Sequence, residues 1–394
     1  MSITSSENDT SALIEQIASF RQKNLKDAVI RQALYDAARK LSFEIETPGD
    51  AINRIAYSPL QNSVACTASD IGVFEILTSK EHAVVRTDEL AVITKADASF
   101  LGRLLRYLAS FGMIQELAED TWSASNITRT LSVPAFKAGL HHHQHSLMPA
   151  YQALPEFLAE TRYQNPSDSA NSPFQKGHAT DLLPWIWLQT KPANRDAFGQ
   201  WIGASHEIKN VFLDVFPFER ELCTDTKPET PLFIDIGGGF GHQCMLVRKR
   251  FPNTLGRVIL QDLPEVIAQV PPVTGVEPMA HNFLTEQPIK GARAYYLRNI
   301  MHDNPDDKCI LILQHIVKAM GRDSVIILDD MIIPNKGANW RATQLDLTMM
   351  SGLAGVERTE RQWYKLMDNA GLKIQKVYTY TTDLGDSVII AVPK

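Results

Sequence analysis

The chain has 394 residues, 44% hydrophobic and 21% charged, with a formal net charge of -6 and a pI near 6.0. That length exceeds one ordinary core and predicts about two to three domains. The acidic balance supplies no global attraction to nucleic acid or to an anionic membrane, so neither is expected as a partner.

The N-terminal stretch MSITSSENDTSALIEQ lacks a basic n-region and an apolar h-region. With no run of about 18 uninterrupted apolar residues, neither a secretion signal nor a membrane span is expected. Cys66, Cys223, Cys244 and Cys309 are widely spaced without C-x-x-C pairs, which predicts no disulfide framework, no zinc site and a reducing, cytoplasmic home.

Residues 1–10 are polar and serine-rich and read as a disordered start. From Ser11 to Ile45, apolar residues at helical spacing (Leu13, Ile14, Ile17, Phe20, then Val29, Ala33, Leu34, Ala37, Leu41) predict amphipathic helices. After Pro48-Gly49 the pattern is helix, turn, helix, turn, helix, then two short β-like pieces, the order of a winged helix. Such a module suggests DNA binding. Its third helix, Ala98 to Phe111, argues otherwise: Arg103 and Arg106 are its only cations and its spacing is that of a buried helix. Residues 130–220 keep helical spacing amid many His, Pro and Trp, and read as a connector. Residues 164–177 (QNPSDSANSPFQKG) read as a loop, and Pro228 to Pro231 as a domain boundary.

From residue 231 the pattern turns α/β. Apolar runs LFIDI, RVILQD, ARAYYLR and SVIILDDMI alternate with helical stretches, and the closing pair IQKVYTYTT and SVIIAV is joined by DLGD as a hairpin. The expected fold is α/β: a Rossmann-like, doubly wound, mostly parallel sheet with an antiparallel last strand forming its edge, preceded by an all-α winged-helix-like domain. The boundaries are 1–128, 129–227 for the helical connector, and 228–394 for the sheet domain.

The first strand runs into Asp235-Ile-Gly237-Gly238-Gly239-Phe-Gly241. Glycines there let the backbone pass close to a ligand at dihedrals that a side chain forbids. His242 stands where a dinucleotide fingerprint needs a third glycine or alanine, and no G-K-[ST] follows, which argues against pyrophosphate or P-loop binding. An acidic glycine turn without phosphate chemistry fits S-adenosylmethionine; a tight strand-to-helix turn with no ligand remains the alternative. Ligands of such sheets bind outside the carboxyl ends of the strands, where polar residues collect here. Asp262 is placed to accept ribose hydroxyls, or to cap the helix that starts near Leu263. Asn282 and Phe283 suit an adenine edge and face. His302, followed by Asp303, is suited to accept a proton from a hydroxyl, with Asp330 or Glu357 as the carboxylate that orients it, or it merely neighbours a helix N-cap.

Taken in order, DIGGGFGH, LQDLPEVI, MAHNF, YYLRNIMHD, IILDDMIIP and GVERTE make residues 200–394 resemble the plant and fungal small-molecule O-methyltransferases that use S-adenosylmethionine. The N-terminal helices resemble that family's dimerisation module. The resemblance implies His302 as general base with Asp330 and Glu357 flanking it. It implies cofactor contacts at Asp235, Gly237, Gly238, Gly239, Asp262, Leu263, Asn282, Phe283 and Arg298, and a homodimer through the N-terminal helices. The substrate it implies is a hydroxyl-bearing small aromatic, pyridone or polyketide-type metabolite. Two positions depart from the family pattern, with Asn282 standing for Asp and Asn304 for Trp. The first leaves a carbonyl oxygen for the adenine amino group; the second removes bulk beside His302.

His141-His142-His143-Gln144-His145 places His141 and His145 on one helical face, where they could hold a metal, line a pocket through His143, or simply be solvated. No metal is expected, since no acid or cysteine lies nearby in sequence. Trp185, Trp187, Met349 and Met350 suit an apolar substrate wall or plain core packing. Fungal members of the same family also catalyse dehydration or pericyclic ring formation without methyl transfer, with Arg298 or a pocket histidine polarising the substrate. That is the second reading, and a non-catalytic dimeric binding protein is the third.

Overall fold

The computed structural model describes residues 3–20, 27–79, 81, 83–207, 211–381 and 383–394. They form two compact units, Met1–Ala65 and Cys66–Lys394.

Helices Ile3–Ser19, Ala28–Ile45 and Pro48–Ala56 lie in the first unit. Backbone from Ile3 is helical, which corrects the disordered start expected for residues 1–10. That stretch holds neither Gly nor Pro, so nothing stops the amphipathic helix from extending toward the N-terminus. Asp27 caps the second helix by accepting from the backbone N–H of Val29 and Ile30 at 2.8 and 3.1 Å. Thr47 caps the third through a capping box with Asp50, with Pro48 in its first turn. Leu13, Ile14, Ile17, Val29, Ile30, Leu34, Leu41, Ile52 and Ile55 remain exposed on these helices in the single chain.

In the second unit, helix Val73–Thr78, strand β1 (Val84–Arg86), helices Thr87–Thr94 and Ala98–Ser110, and strands β2 (Ile114–Ala118) and β3 (Thr121–Ala124) follow in order. The three strands form an antiparallel sheet, β1-β3-β2, so the N-terminal region is not all-α as expected. Three residues make β1 too short to leave an alternating pattern. Leu101, Leu104, Leu105 and Leu108 bury one face of helix Ala98–Ser110, in line with the apolar reading of that helix. In the connector the predicted loop ends early. Ser172 caps helix Pro173–His178 with a capping box to Gln175, and Pro173 supplies the preset first turn, so loop-like composition there marks a helix start.

The main sheet contains β4 (Pro231–Ile236), β5 (Arg257–Asp262), β6 (Val276–Ala280), β7 (Ala294–Arg298), β8 (Val325–Met331), β9 (Leu372–Thr379) and β10 (Asp386–Pro393), in the order β6-β5-β4-β7-β8-β10-β9. Pairs β4–β5, β5–β6, β4–β7 and β7–β8 are parallel, and β10 runs antiparallel to both β8 and β9. Two expectations change. The antiparallel last strand is interior, and β9 is the edge. Edge strand β6 was not anticipated, because its largely exposed Val-Glu-Pro-Met-Ala offers no apolar run. Ile234, Tyr295, Leu297, Ile326 and Leu328 belong to the core on one face; Phe233, Leu260, Tyr296, Ile327 and Val388 belong to the other. The chain leaves β4 toward β5 and β6 and returns beside β4 as β7, which makes the end of β4 a topological switch point.

Segments 301–306 and 355–358, both beyond carboxyl ends of strands, are locked together. The Arg358 guanidinium is fully buried and donates to the carbonyls of Met301 (2.6 Å) and Asn304 (2.9 Å) and to Asp306 (2.9 and 2.8 Å). Its Cζ also lies 5.6 Å from the Trp363 ring centroid, within cation–π reach. The Val356 N–H donates to the His302 carbonyl at 2.8 Å. Gly355 packs so closely on that carbonyl that a Cβ would collide with it. Removing the guanidinium strands buried carbonyls, each costing about 1–3 kcal/mol. Arg358→Met is therefore expected to lower unfolding free energy by about 3 kcal/mol or more in urea denaturation; a loss below about 1 kcal/mol would remove the clamp from this account.

Candidate functional site

Past the end of β4, Gly237, Gly239 and Gly241 adopt φ of 69, 57 and 78°, left-handed values that favour glycine. A Cβ on Gly237 would meet Ile300 at 2.6 Å and one on Gly238 would meet the Asp235 carboxyl at 2.6 Å, whereas one on Gly239 would meet nothing. The turn is therefore packed from below and open above, a cradle for a ligand that approaches the backbone. Asp235 is one of the groups below it. Its carboxyl is 1% exposed, accepts from the Cys244 thiol at 3.5 Å, and is pushed up to about 7 by burial. It supports the turn and is not displayed on its surface.

Asp262, at the end of β5, accepts from the Gly239 N–H at 2.8 Å and from the Leu263 N–H at 2.7 Å. The capping expectation does not hold, since helix Pro264–Ile267 has Leu263 at its N-cap and no side-chain cap bond. Asp262 ties the turn to the next strand and precedes helix Pro264–Ile267, and each carboxylate oxygen keeps a lone pair for a hydroxyl donor. Asn282 accepts from the Leu284 N–H at 3.0 Å through the same oxygen expected to meet adenine, leaving one lone pair on it. Phe283 is half-buried near Gly237. Arg298, at the end of β7, is largely buried and pairs with Asp329 at 3.5 Å. Asp329 also accepts from the hydroxyls of Tyr296 (2.5 Å) and Tyr380 (2.7 Å).

His302 donates from Nδ1 to Glu357 Oε1 at 2.6 Å, which selects Glu357 as its orienting partner. Its Nε2 lies 3.3 Å from Asp303, a contact the sequence showed only as adjacency. Burial alone would lower the imidazole, but the Asp303 and Glu357 carboxylates override it and raise it to about 10. Asp330 makes no hydrogen bond through either carboxylate oxygen although fully buried, and burial pushes it up to about 8. It therefore flanks His302 without a hydrogen bond to it. Asn304 donates to the Ile300 carbonyl at 2.8 Å, so the residue that departs from the family pattern staples the loop that carries His302.

A separate cavity of about 480 Å³ is lined by His143, Trp185, Trp187 and Met349, as expected, but not by Met350. His302 does not line it either; the link is helix Trp340–Leu353, whose residues 341, 344, 345, 348, 349 and 352 form one lining face and whose far end leads to Gly355. Tyr151, Phe198, Trp201 and Arg341 also line it and were not singled out from sequence. The spacing 341, 344/345, 348/349, 352 was the available signal. Within the histidine run, His141 and His145 rings sit 4.4 Å apart on the expected shared face. His143 donates from Nδ1 to the Gly139 carbonyl at 2.8 Å, leaving Nε2 as an acceptor when neutral. Burial lowers His142 to about 4. Among the described residues no group of three or more His, Cys, Asp or Glu is arranged to hold a metal ion.

Comparison with known proteins places this geometry. The O-methyltransferase domain matches residues 222–373, and the O-methyltransferase dimerisation domain matches residues 55–133. O-methyltransferase lepI of Aspergillus flavus is 41% identical over 96% of this chain and 97% of its own. A solved structure described as a pericyclic reaction enzyme is 39% identical, with a TM-score of 0.86 over 99% of this chain and 100% of that one. The structure of LepI in complex with SAM is similar to the same degree, 39% identical with a TM-score of 0.86 over the whole of both chains. The chain belongs to the O-methyltransferase family.

Proposed function

We propose that this protein binds S-adenosylmethionine above the glycine turn and methylates a hydroxyl of a small aromatic, pyridone or polyketide-type metabolite of fungal secondary metabolism. The observation that carries the reading is His302, its side chain 14% exposed and oriented by Glu357 at 2.6 Å, on the loop that packs against Gly237. Asp262 would take the ribose hydroxyls, Asn282 and Phe283 the adenine, and Asp235, packed under Gly238, would back the turn. When bound, the cofactor supplies an electrophilic methyl and a sulfonium charge. His302 receives the hydroxyl proton at Nε2, which requires Asp303 to yield its 3.3 Å contact, while Glu357 holds the ring through Nδ1. The cavity walls of Trp185 and Met349 would exclude water and align the acceptor.

The raised imidazole sets a proton condition. With His302 near 10, enzyme and hydroxyl together carry one proton too many at neutral pH, and one must leave before transfer. The same feature favours a second reading, in which both ring nitrogens stay engaged by carboxylates, His302 remains a cation, and the bound sulfonium serves only as a charge for dehydration or pericyclic ring formation. The solved relatives just described share the fold in which that chemistry occurs.

The exposed apolar faces of the N-terminal helices, with the dimerisation-domain match, support a winged-helix-like module that pairs two copies. Four free cysteines fit a reducing cytoplasm, and no described helix is long and apolar enough to cross a membrane.

Four measurements check these proposals. Incubation with methyl-labelled cofactor and a panel of hydroxylated polyketide and pyridone compounds should put label in a product; unlabelled product of unchanged mass, or of mass less one water, selects the second reading. His302→Ala should cut transfer by roughly 10²–10⁴-fold with cofactor affinity nearly intact, and kcat/KM of the unaltered protein should climb with unit slope up to the lower of His302 (about 10) and the substrate hydroxyl. Turnover unaffected by the substitution, or a flat profile between about pH 6 and 9 with a weakly acidic hydroxyl substrate of pKa above about 9, would sink His302 as the base. Light scattering should report a dimer; a monomer at every concentration would count against pairing through the N-terminal helices.

A further inference from the structure

We propose that Tyr151 determines the specificity of the 480 Å³ cavity by accepting a hydrogen bond from a ring N–H of the substrate, such as a lactam nitrogen, apart from the hydroxyl that is methylated. The proposal rests on the reading of this cavity as the substrate site. Tyr151 on helix Met148–Glu160 and Thr348 on helix Trp340–Leu353 both line it, and their hydroxyl oxygens lie 2.8 Å apart. A threonine hydroxyl has one proton, and Thr348 donates it to the Gln344 carbonyl, one turn back, at 2.8 Å. The bond between the two hydroxyls therefore runs from Tyr151 to Thr348. Burial pushes the Tyr151 phenol above its ordinary range, so that proton stays on it at neutral pH. With its one proton committed, the Tyr151 oxygen has only lone pairs to offer a ligand.

Fixed polarity is what singles out an N–H. A ligand hydroxyl can turn to present its proton or a lone pair and so meets either kind of partner, whereas a ring N–H can only donate. A ring oxygen in its place would set lone pair against lone pair and leave the Tyr151 acceptor unmatched. The wall around the pair includes Trp185, Trp201, Phe198 and Met349, which suit the faces of a flat ring and leave its edge to the hydroxyl. Thr348 stands about 6 Å before Gly352 along the helix axis at 1.5 Å per residue, and the chain beyond packs on the His302 carbonyl through Gly355. His302 does not line the cavity, so the hydrogen that Tyr151 accepts is not the one that His302 removes. Tyr151 thus reads the ring, and His302 acts on a group beyond it.

Isothermal titration of the full-length protein with 2-quinolone, and with coumarin, which carries a ring oxygen in place of the N–H, tests this without turnover. The ratio of the coumarin Kd to the 2-quinolone Kd cancels any change in packing that both probes share. It should fall by about three- to tenfold in Tyr151→Phe. Thr348→Val should lower it at least as far with Tyr151 still present, because the freed phenol proton can then turn to the coumarin oxygen, whereas Thr348→Ser should keep it. His302→Ala should keep it as well. A ratio unchanged in Tyr151→Phe, one that survives Thr348→Val, or no binding of either probe by the unaltered protein would each overturn the proposal. A parallel titration with S-adenosylmethionine keeps the outcomes separate, since loss of cofactor binding strikes the proposed function and leaves the Tyr151 preference to be read on its own.

Discussion

The buried guanidinium of Arg358 is the constraint on which the site depends. Loops beyond the carboxyl ends of strands are ordinarily the least restrained parts of an α/β fold, yet His302 must be held to within a fraction of an ångström to be useful. Arg358 solves this by binding two carbonyls of the loop, Met301 and Asn304, and by pairing with Asp306 at the start of the following helix. Its neighbours complete the grip: Val356 bonds the His302 backbone and Glu357 bonds its ring. Three consecutive residues thus fix one residue from three sides. Gly355 is the price of that approach, because nothing larger fits against the His302 carbonyl.

The glycine turn is supported in a comparable way from the opposite direction. Asp235 packs beneath Gly238, Asp262 binds the Gly239 N–H from the next strand, and Ile300 closes against Gly237. Ile300 also gives its carbonyl to Asn304. The turn and the His302 loop therefore share a residue, so a shift in one is felt by the other. The glycine turn and His302 are thus kept in register by packing, with no need for a direct bond between them.

Much of this was legible because strand ends in such a sheet are few and their polar residues stand out against apolar runs. Asp262, Arg298, His302 and the glycine turn were all identified that way. Other parts left no such contrast. Arg358 sits in a polar stretch and reads as a solvated charge, and only the folded chain shows it buried. Arg341 opens a helix, where a cation is locally unremarkable, and only the folded chain shows it among the residues that line the cavity. Strand β6 escaped because an edge strand with little buried surface has no hydrophobic signature. Met350 was grouped with Met349, but adjacent helical residues point about 100° apart, and only one faces the cavity.

Cofactor binding and methyl transfer are separable demands on this architecture. On the proposed reading the first would use the turn and the acceptors at Asp262 and Asn282, none of which depends on the charge of His302. The second needs a proton to leave a site where burial raises Asp330 to about 8 and the surrounding carboxylates raise His302 to about 10. Those carboxylates stabilise the imidazolium, which makes neutral His302 a strong base but a scarce one near pH 7. An acidic enol or phenol resolves the conflict, because it arrives already short of a proton. A weakly acidic alcohol does not, and with such a ligand the same site would hold two positive charges, sulfonium and imidazolium, around a substrate that keeps its hydrogen. On the proposed reading that arrangement would polarise and orient without transferring, so the acidity of the ligand would separate the two chemistries on one fold.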